Sequence, residues 1–309
     1  PRAPSPSSQI YPSQALKPWT TTPTRTPIWL SQNVIGEKIE VATFQAGFHG
    51  LFIGHLRREA DAYRVLSAAV KMAPKSLVLD VGANHGLFSL FAAKQGAEKV
   101  IAVEPQAKLC SYIVSALQRN GVGGKVTLYN AAVIEERMKI RMRDAEIAEG
   151  AVATVVKGMG GNIQGVPVTE LAPPSVGDIS YLKIDVEGFD LPAIRSSYPL
   201  LEAKKVAHTV IEFGPPQRWK MATQSKRSSE EGVEVLERAK KMGYEVRLMH
   251  SQVWGPWSKK QWAGLSDTKA REWQGIMFMS MVTKQDFESL IKQMSACNCE
   301  AYVWFFRPP

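Results

Sequence analysis

The sequence predicts an α/β fold, a mostly parallel sheet covered by helices on both faces, and three observations carry that expectation. From Leu77 onward, short apolar runs rich in Val, Ile and Leu alternate with longer runs of helical period. An acid and two glycines, Asp80, Gly82 and Gly86, stand where one such run meets the next helix, the place where open α/β sheets bind ligands. The chain has 309 residues, 45% hydrophobic and 22% charged, enough for a core buried on both sides of a sheet.

The elements follow in order. Residues 1–28 are rich in Pro, Ser and Thr without helical or strand period, and are expected as a flexible leader or stem. The folded domain is expected over 29–309, with 29–74 as an N-terminal extension. In that extension Ala62, Val65, Leu66, Ala69 and Val70 recur at helical spacing, and Pro74 stops the helix. Seven strands are expected: Leu77–Val81, Lys99–Val103, Val126–Asn130, Ile179–Asp185, Val206–Phe213, Tyr244–Met249 and Ala301–Phe306. Between them lie helices at Leu87–Gln95, Ala107–Asn120, Asp190–Tyr198 and Gly232–Met242. The stretch 251–299, with Trp254, Trp257, Trp262 and Trp273, interrupts the alternation. It reads as an insertion with some structure of its own, its loop-like, tryptophan-bearing region packed against the main sheet, with a lid or substrate platform the alternative.

Charge and cysteines narrow the class. The net charge of +9, from 38 Lys and Arg against 29 Asp and Glu, is spread along the chain without interleaved aromatics, so a solvated surface is expected and a nucleic-acid groove is not. No apolar run reaches the roughly 18 residues of a membrane span. The chain does not begin with Met, so an upstream targeting or anchor segment is expected to have been removed, with a lumenal, secretory or organellar location. Cys110, Cys297 and Cys299 lack zinc-type spacing, and Cys297-Asn-Cys299 is expected as two ordinary thiols near the surface, with a strained local bridge or half a metal site as the alternatives.

The loop Asp80-Val81-Gly82-Ala83-Asn84-His85-Gly86 is neither GxGxxG nor GxxxxGK[ST], so the usual phosphate cradles are not spelled out. A second acid, Glu104, ends the next strand, where a carboxylate can accept from both hydroxyls of a ribose. This order is similar to that of class I S-adenosylmethionine-dependent methyltransferases. The wording DVGANHG, VEP, NAAV at Asn130–Val133, VPVTEL at Val166–Leu171 and LKIDVEGFD at Leu182–Asp190 resembles the FkbM family, in order from Leu77 to Phe213. The resemblance implies a Rossmann-like sheet of seven strands, the last antiparallel, with S-adenosylmethionine across the carboxyl ends of the first strands. It also implies that Gly82, Asn84 and Gly86 approach the methionine part, Asp80 supports the loop or the amino group, Glu104 holds the ribose and Asn130 lies near the adenine. His85 is expected as a loop residue whose backbone matters, with a role as base the alternative.

In KIDVEG, strand alternation puts Lys183 and Asp185 on one face, and Glu187 follows in the turn. Methyl transfer to oxygen needs alignment of donor and acceptor and removal of the hydroxyl proton. Asp185 is the first choice as base or metal ligand and Glu187 the second, with Lys183 as a cation that lowers a neighbouring pKa and Glu212 as a third acid. The alternative is that Asp185 and Glu187 only position the cofactor and cap the helix that starts at Asp190. Glu212 is expected to bind substrate or to pair with Arg218, and His208 to be a buried or edge histidine. A divalent metal on Asp185 and Glu212 is left open.

The function expected is methyl transfer from S-adenosylmethionine to a hydroxyl of a sugar, glycan or secondary metabolite, so that the partner is a small-molecule or glycan acceptor. Transfer to nitrogen or to RNA ribose, and a non-catalytic S-adenosylmethionine-binding module, are the alternatives.

Overall fold

The computed structural model describes residues 16–44, 53–54, 56–143, 154–157, 163–172, 177–249 and 270–309. Two strands, β1 (Ile28–Val34) and β2 (Glu37–Thr43), open the chain as an antiparallel hairpin. Its two-residue loop, Ile35-Gly36, has φ of 47° and 85°, the double positive φ that lets a tight turn follow strand twist. Helix α1 (Ala60–Met72) buries the predicted Ala62, Val65, Leu66, Ala69 and Val70 and ends before Pro74.

The main sheet begins with β3 (Leu77–Val81), followed by α2 (Leu87–Lys94), β4 (Lys99–Val103), α3 (Ala107–Arg119) and β5 (Val126–Tyr129). A separate small sheet then forms from β6 (Ala132–Val133), β7 (Met138–Arg143), β8 (Thr154–Lys157) and β9 (Ile163–Val166). The chain returns through α4 (Val168–Leu171) to β10 (Ile179–Ile184), α5 (Asp190–Ser196), α6 (Tyr198–Glu202), β11 (Val206–Phe213), α7 (Pro216–Thr223), α8 (Ser228–Lys241) and β12 (Glu245–Met249). It finishes with β13 (Ala270–Trp273), β14 (Ile276–Met281), α9 (Lys284–Cys297) and β15 (Ala301–Phe306).

Among the described residues the main sheet has nine strands in the order β13-β14-β12-β15-β11-β10-β3-β4-β5. The seven predicted strands are its contiguous body. The run from β11 to β5 is parallel, and β15 lies antiparallel between β11 and β12, as expected of the last strand. The two further strands belong to the stretch read as an insertion with some structure of its own. They join through Gln274-Gly275 at φ of 53° and 78°, the same tight-turn signature as in the first hairpin. Trp273 therefore lies in a strand and packs on Trp304 at 5.1 Å between ring centroids. Trp254, Trp257 and Trp262 lie outside the described residues, as do residues 1–15 of the expected leader; Leu16 packs against the core and the Trp19 amide donates to the Leu128 carbonyl at 2.7 Å, beside β5.

Strand alternation splits the core. Leu79, Leu182 and Ile211 face one cluster with α5, α8 and α9, while Val78, Tyr181 and Val210 face another with α1, α2 and α3. Because β4 and β5 extend to one side of β3 and β10 and β11 to the other, the order in which parallel strands are added reverses between β3 and β10. A crevice opens there at the carboxyl ends.

Candidate functional site

The crevice is lined by Gly82 and Asn84 from the loop after β3, Glu104 and Gln106 after β4, Ala131 to Val133, and Asp185 to Glu187 and Phe189 after β10. Gly82 has φ of 83°, and a Cβ there would lie 1.7 Å from the Asp185 carbonyl oxygen. A side chain is thus excluded by backbone, and the two loops touch. The amides of Gly82 and Ala83 donate to the Val103 carbonyl, at 3.0 and 2.9 Å, and hold the loop on β4.

Glu104 orders both loops around it. Its Oε2 accepts from the Asn84 amide at 2.8 Å and its Oε1 from the Gln106 amide at 2.9 Å. Burial nevertheless pushes its pKa up to about 7 against those two donors. Asn130 stands behind it: its side-chain amide donates to the carbonyls of Glu104 and Pro105 at 3.0 and 2.8 Å, and so shapes the wall from outside. Asp80 is buried under the loop, where its Oδ2 accepts from Ser89 at 2.6 Å; burial raises its pKa despite nearby Lys183. His85 is buried with its Nδ1 2.6 Å from Asn84 Oδ1.

Lys183 joins the loops. Register pairs it with Asp80 across β10 and β3, and its Nζ donates to the Gly82 carbonyl at 2.9 Å and lies 3.2 Å from Asp185 Oδ2. Burial would pull its pKa down, but Asp185 and Asp80 outweigh that and hold it up. Burial likewise opposes ionisation of Asp185, yet Lys183 and a hydrogen bond with Glu212 hold its carboxyl below the usual range. Glu187, at φ of 51° in the turn after β10, is pushed up to about 7 by burial and by Asp185, although Arg218 Nη1 donates to its Oε2 at 2.6 Å.

Sequence reasoning found Lys183 and Arg218 but missed Arg58 and Glu300 in this cluster. Glu212, ending β11, has Arg58 at 3.2 Å on Oε1 and Arg218 at 3.3 Å on Oε2, and Glu300 bridges the same two guanidinium groups at 3.0 and 3.3 Å. The expected Glu212–Arg218 pair is present, but Arg58 and Glu300 carry no local signal, since they lie far from it in sequence. Oxygens of Asp185, Glu187 and Glu212 come within 4.8 Å of one another, a spacing a metal ion could use. Each Glu212 oxygen already has an arginine against it, so the residues do not fit a divalent metal. Burial, with Asp185 and Glu187 beside it, drives the Glu212 pKa well above the ordinary value.

The other expectations resolve as follows. His208 is buried, accepts from Trp304 Nε1 at 3.2 Å and is pushed down to about 3 by burial and Arg247. The N-cap of α5 is Phe189 without a side-chain capping bond, so Asp185 and Glu187 do not cap that helix; Asp190 instead holds the turn, accepting from the Val186 amide at 3.2 Å and from Trp219 Nε1 at 3.0 Å. Cys297 and Cys299, expected as free thiols, form a disulfide, because the turn at Asn298 brings their side chains together; Cys110 is free and buried.

Comparison with known proteins places this geometry. Residues 80–246, more than half of the chain, match the methyltransferase FkbM domain. The rice (Oryza sativa subsp. indica) "Probable protein arginine N-methyltransferase 3" is 36% identical over 103 residues, which cover 33% of this chain and 15% of the rice protein. Ribosomal protein L11 methyltransferase of Pelotomaculum thermopropionicum is 31% identical over 83 residues, 27% of this chain and 26% of that protein. Among solved structures, geranyl diphosphate methyltransferase in complex with SAM is 11% identical with a TM-score of 0.42, covering 92% of this chain and 97% of that one. From the match across the glycine loop, both acidic turns and the five parallel strands, the chain belongs to the FkbM methyltransferase family.

Proposed function

We propose that the crevice binds S-adenosylmethionine and that the protein transfers its methyl group to a hydroxyl oxygen of a small-molecule or glycan acceptor. The contact of Gly82 with Asp185 carries this reading: it sets a side-chain-free loop, the Glu104 carboxylate and the acidic turn after β10 around one crevice. Bound there, the cofactor would supply a methyl group activated by a positive sulfonium.

The chain's own residues divide the remaining work. Glu104 accepts hydroxyl donors on the lone pairs left over from its two amides. Lys183 keeps Asp185 ionised, which makes Asp185 a weak base and a good anchor for positive charge. Glu187, poised at about 7, is better matched to take the acceptor proton at neutral pH, so the role of base passes from Asp185 to Glu187. Arg218 holds the Glu187 carboxylate in place from α7.

A second reading, transfer to a guanidinium nitrogen, draws on one observation. Glu187 and Glu212 already hold a guanidinium, that of Arg218, at 2.6 and 3.3 Å, and a relative named as an arginine N-methyltransferase matches part of the chain. Calorimetry with S-adenosylmethionine tests the cofactor, and absence of binding by the intact protein ends both readings. Release of S-adenosylhomocysteine with sugars and hydroxylated metabolites, against arginine-bearing peptides, then decides the acceptor; turnover on the peptides alone would overturn the oxygen reading.

A further inference from the structure

We propose that the Cys297–Cys299 disulfide is a thiol-exchange site, opened by a dithiol, that sets the position of Glu300 against the arginine pair of the acidic site. Three observations meet there. Cys297 ends α9 as an exposed residue, while Cys299 is half-buried, so Cys297 is the more accessible half of the disulfide. Glu300 follows Cys299 directly, and its two oxygens reach Arg58 Nη1 at 3.0 Å and Arg218 Nη2 at 3.3 Å. The next residue, Ala301, starts β15 opposite Phe213, so the disulfide lies at the same end of the sheet as the crevice.

The segment is coupled to the site twice. Gln217 on α7 donates to the Ser295 carbonyl at 2.7 Å and Oγ at 3.1 Å, and the adjacent Arg218 carries the bonds to Glu187 and Glu212. Between them the disulfide pins the turn at Asn298, whose φ is 49°, a conformation Asn tolerates better than most residues. Opening the bond frees that turn and loosens Glu300. The guanidinium groups then keep their contacts with Glu187, Glu212 and Glu59 without the bridge from Glu300, and the charge presented to the crevice changes.

The exchange balances. One thiolate of the dithiol attacks Cys297 Sγ, the Cys297–Cys299 bond breaks and Cys299 leaves as a thiolate; the second thiol of the reagent then displaces Cys297. Two electrons pass to the protein, two cysteine thiols form, and the reagent leaves as a cyclic disulfide. Attack at the more accessible residue, Cys297, follows from access. Nothing in this step uses the methyl-transfer reading, so its failure and the failure of that reading show up in different measurements.

The test uses the whole protein and dithiothreitol as the dithiol, without cofactor. Thiol titration of the protein in air should find Cys110 alone after denaturation, and after mild reduction two more thiols. Reduction should speed amide exchange around Asn298–Ala301 roughly tenfold, the order expected when a short covalent loop is released. It should also shift the Nε–H resonances of Arg58 and Arg218. The double variant Cys297→Ser/Cys299→Ser, oxidised or reduced, should show the reduced pattern and no response; if it fails to fold, the reduced wild-type protein carries the comparison. Three thiols in the air-exposed protein, or complete reduction with both the exchange and the arginine resonances unchanged, would overturn the proposal.

Discussion

At the scale of single residues, Gly82 and Glu187 carry opposite kinds of demand. Gly82 is required by space: with φ of 83° and the Asp185 carbonyl oxygen 1.7 Å from where a Cβ would stand, any side chain must push the two loops apart. Gly82→Ala should therefore destabilise the fold by about 1–3 kcal/mol and weaken S-adenosylmethionine binding more than any substitution on the outer wall; urea titration and calorimetry read the two effects, and wild-type values in both would remove the close approach from the account. Glu187 is required by its proton. Because its pKa is raised to about 7, it is protonated below that pH and able to accept above it, so methyl transfer should rise with pH through about 7. In Glu187→Gln the rate should drop by about a hundredfold or more and lose that rise. An unchanged pH profile in the variant would return the role of base to Asp185.

At the scale of elements, the turn after β10 depends on helices that follow it. Asp190, at the start of α5, accepts from the Val186 amide on one oxygen and from Trp219 on α7 on the other. Asp190→Asn puts an amide where one acceptor stood, and either donor left unpaired in this buried place costs about 1–3 kcal/mol. Urea unfolding should show that loss, and cofactor binding should fall with it, since Val186 lines the crevice. The same scale shows what the sequence left unread. Both tight hairpins carry a glycine in the second turn position, Gly36 and Gly275, between runs of strand length, and that signal was present but short. Helix α9 had a signal too: Thr283 and Asp286 form a capping box, with the Asp286 amide donating to Thr283 Oγ1 at 3.1 Å and the Thr283 amide to Asp286 Oδ2 at 2.7 Å. Its apolar stripe lies within the stretch read as an insertion, where no helix was assigned.

At the scale of the whole molecule, the buried acids outnumber the cations placed to neutralise them, and stability should follow pH accordingly. Glu104 and Glu187 are raised from 4.5 to about 7 and Asp190 from 3.8 to about 6, so between those limits the folded chain binds more protons than the unfolded one and loses stability as pH rises. His208, lowered from 6.5 to about 3, works the other way and removes stability as pH falls through that window. Between about pH 4.5 and 6 three acids act against one histidine, so melting temperature should be highest at about pH 4 to 4.5 and fall as pH rises to about 7, with a shallower fall in Glu104→Gln. A melting temperature that climbs from pH 6 to pH 8 would contradict the burial of these carboxyl groups. The sequence by itself determined the seven central strands, the glycine loop and the two acidic turns, because periodicity, glycine punctuation and strand alternation act over a few residues. Only the tertiary structure decided which acid is ionised, which is poised to take a proton and which is bound to arginine: Arg58, Lys183, Arg218 and Glu300 meet from four separate parts of the chain, and a pKa is set by burial and by neighbours that sequence spacing does not reveal.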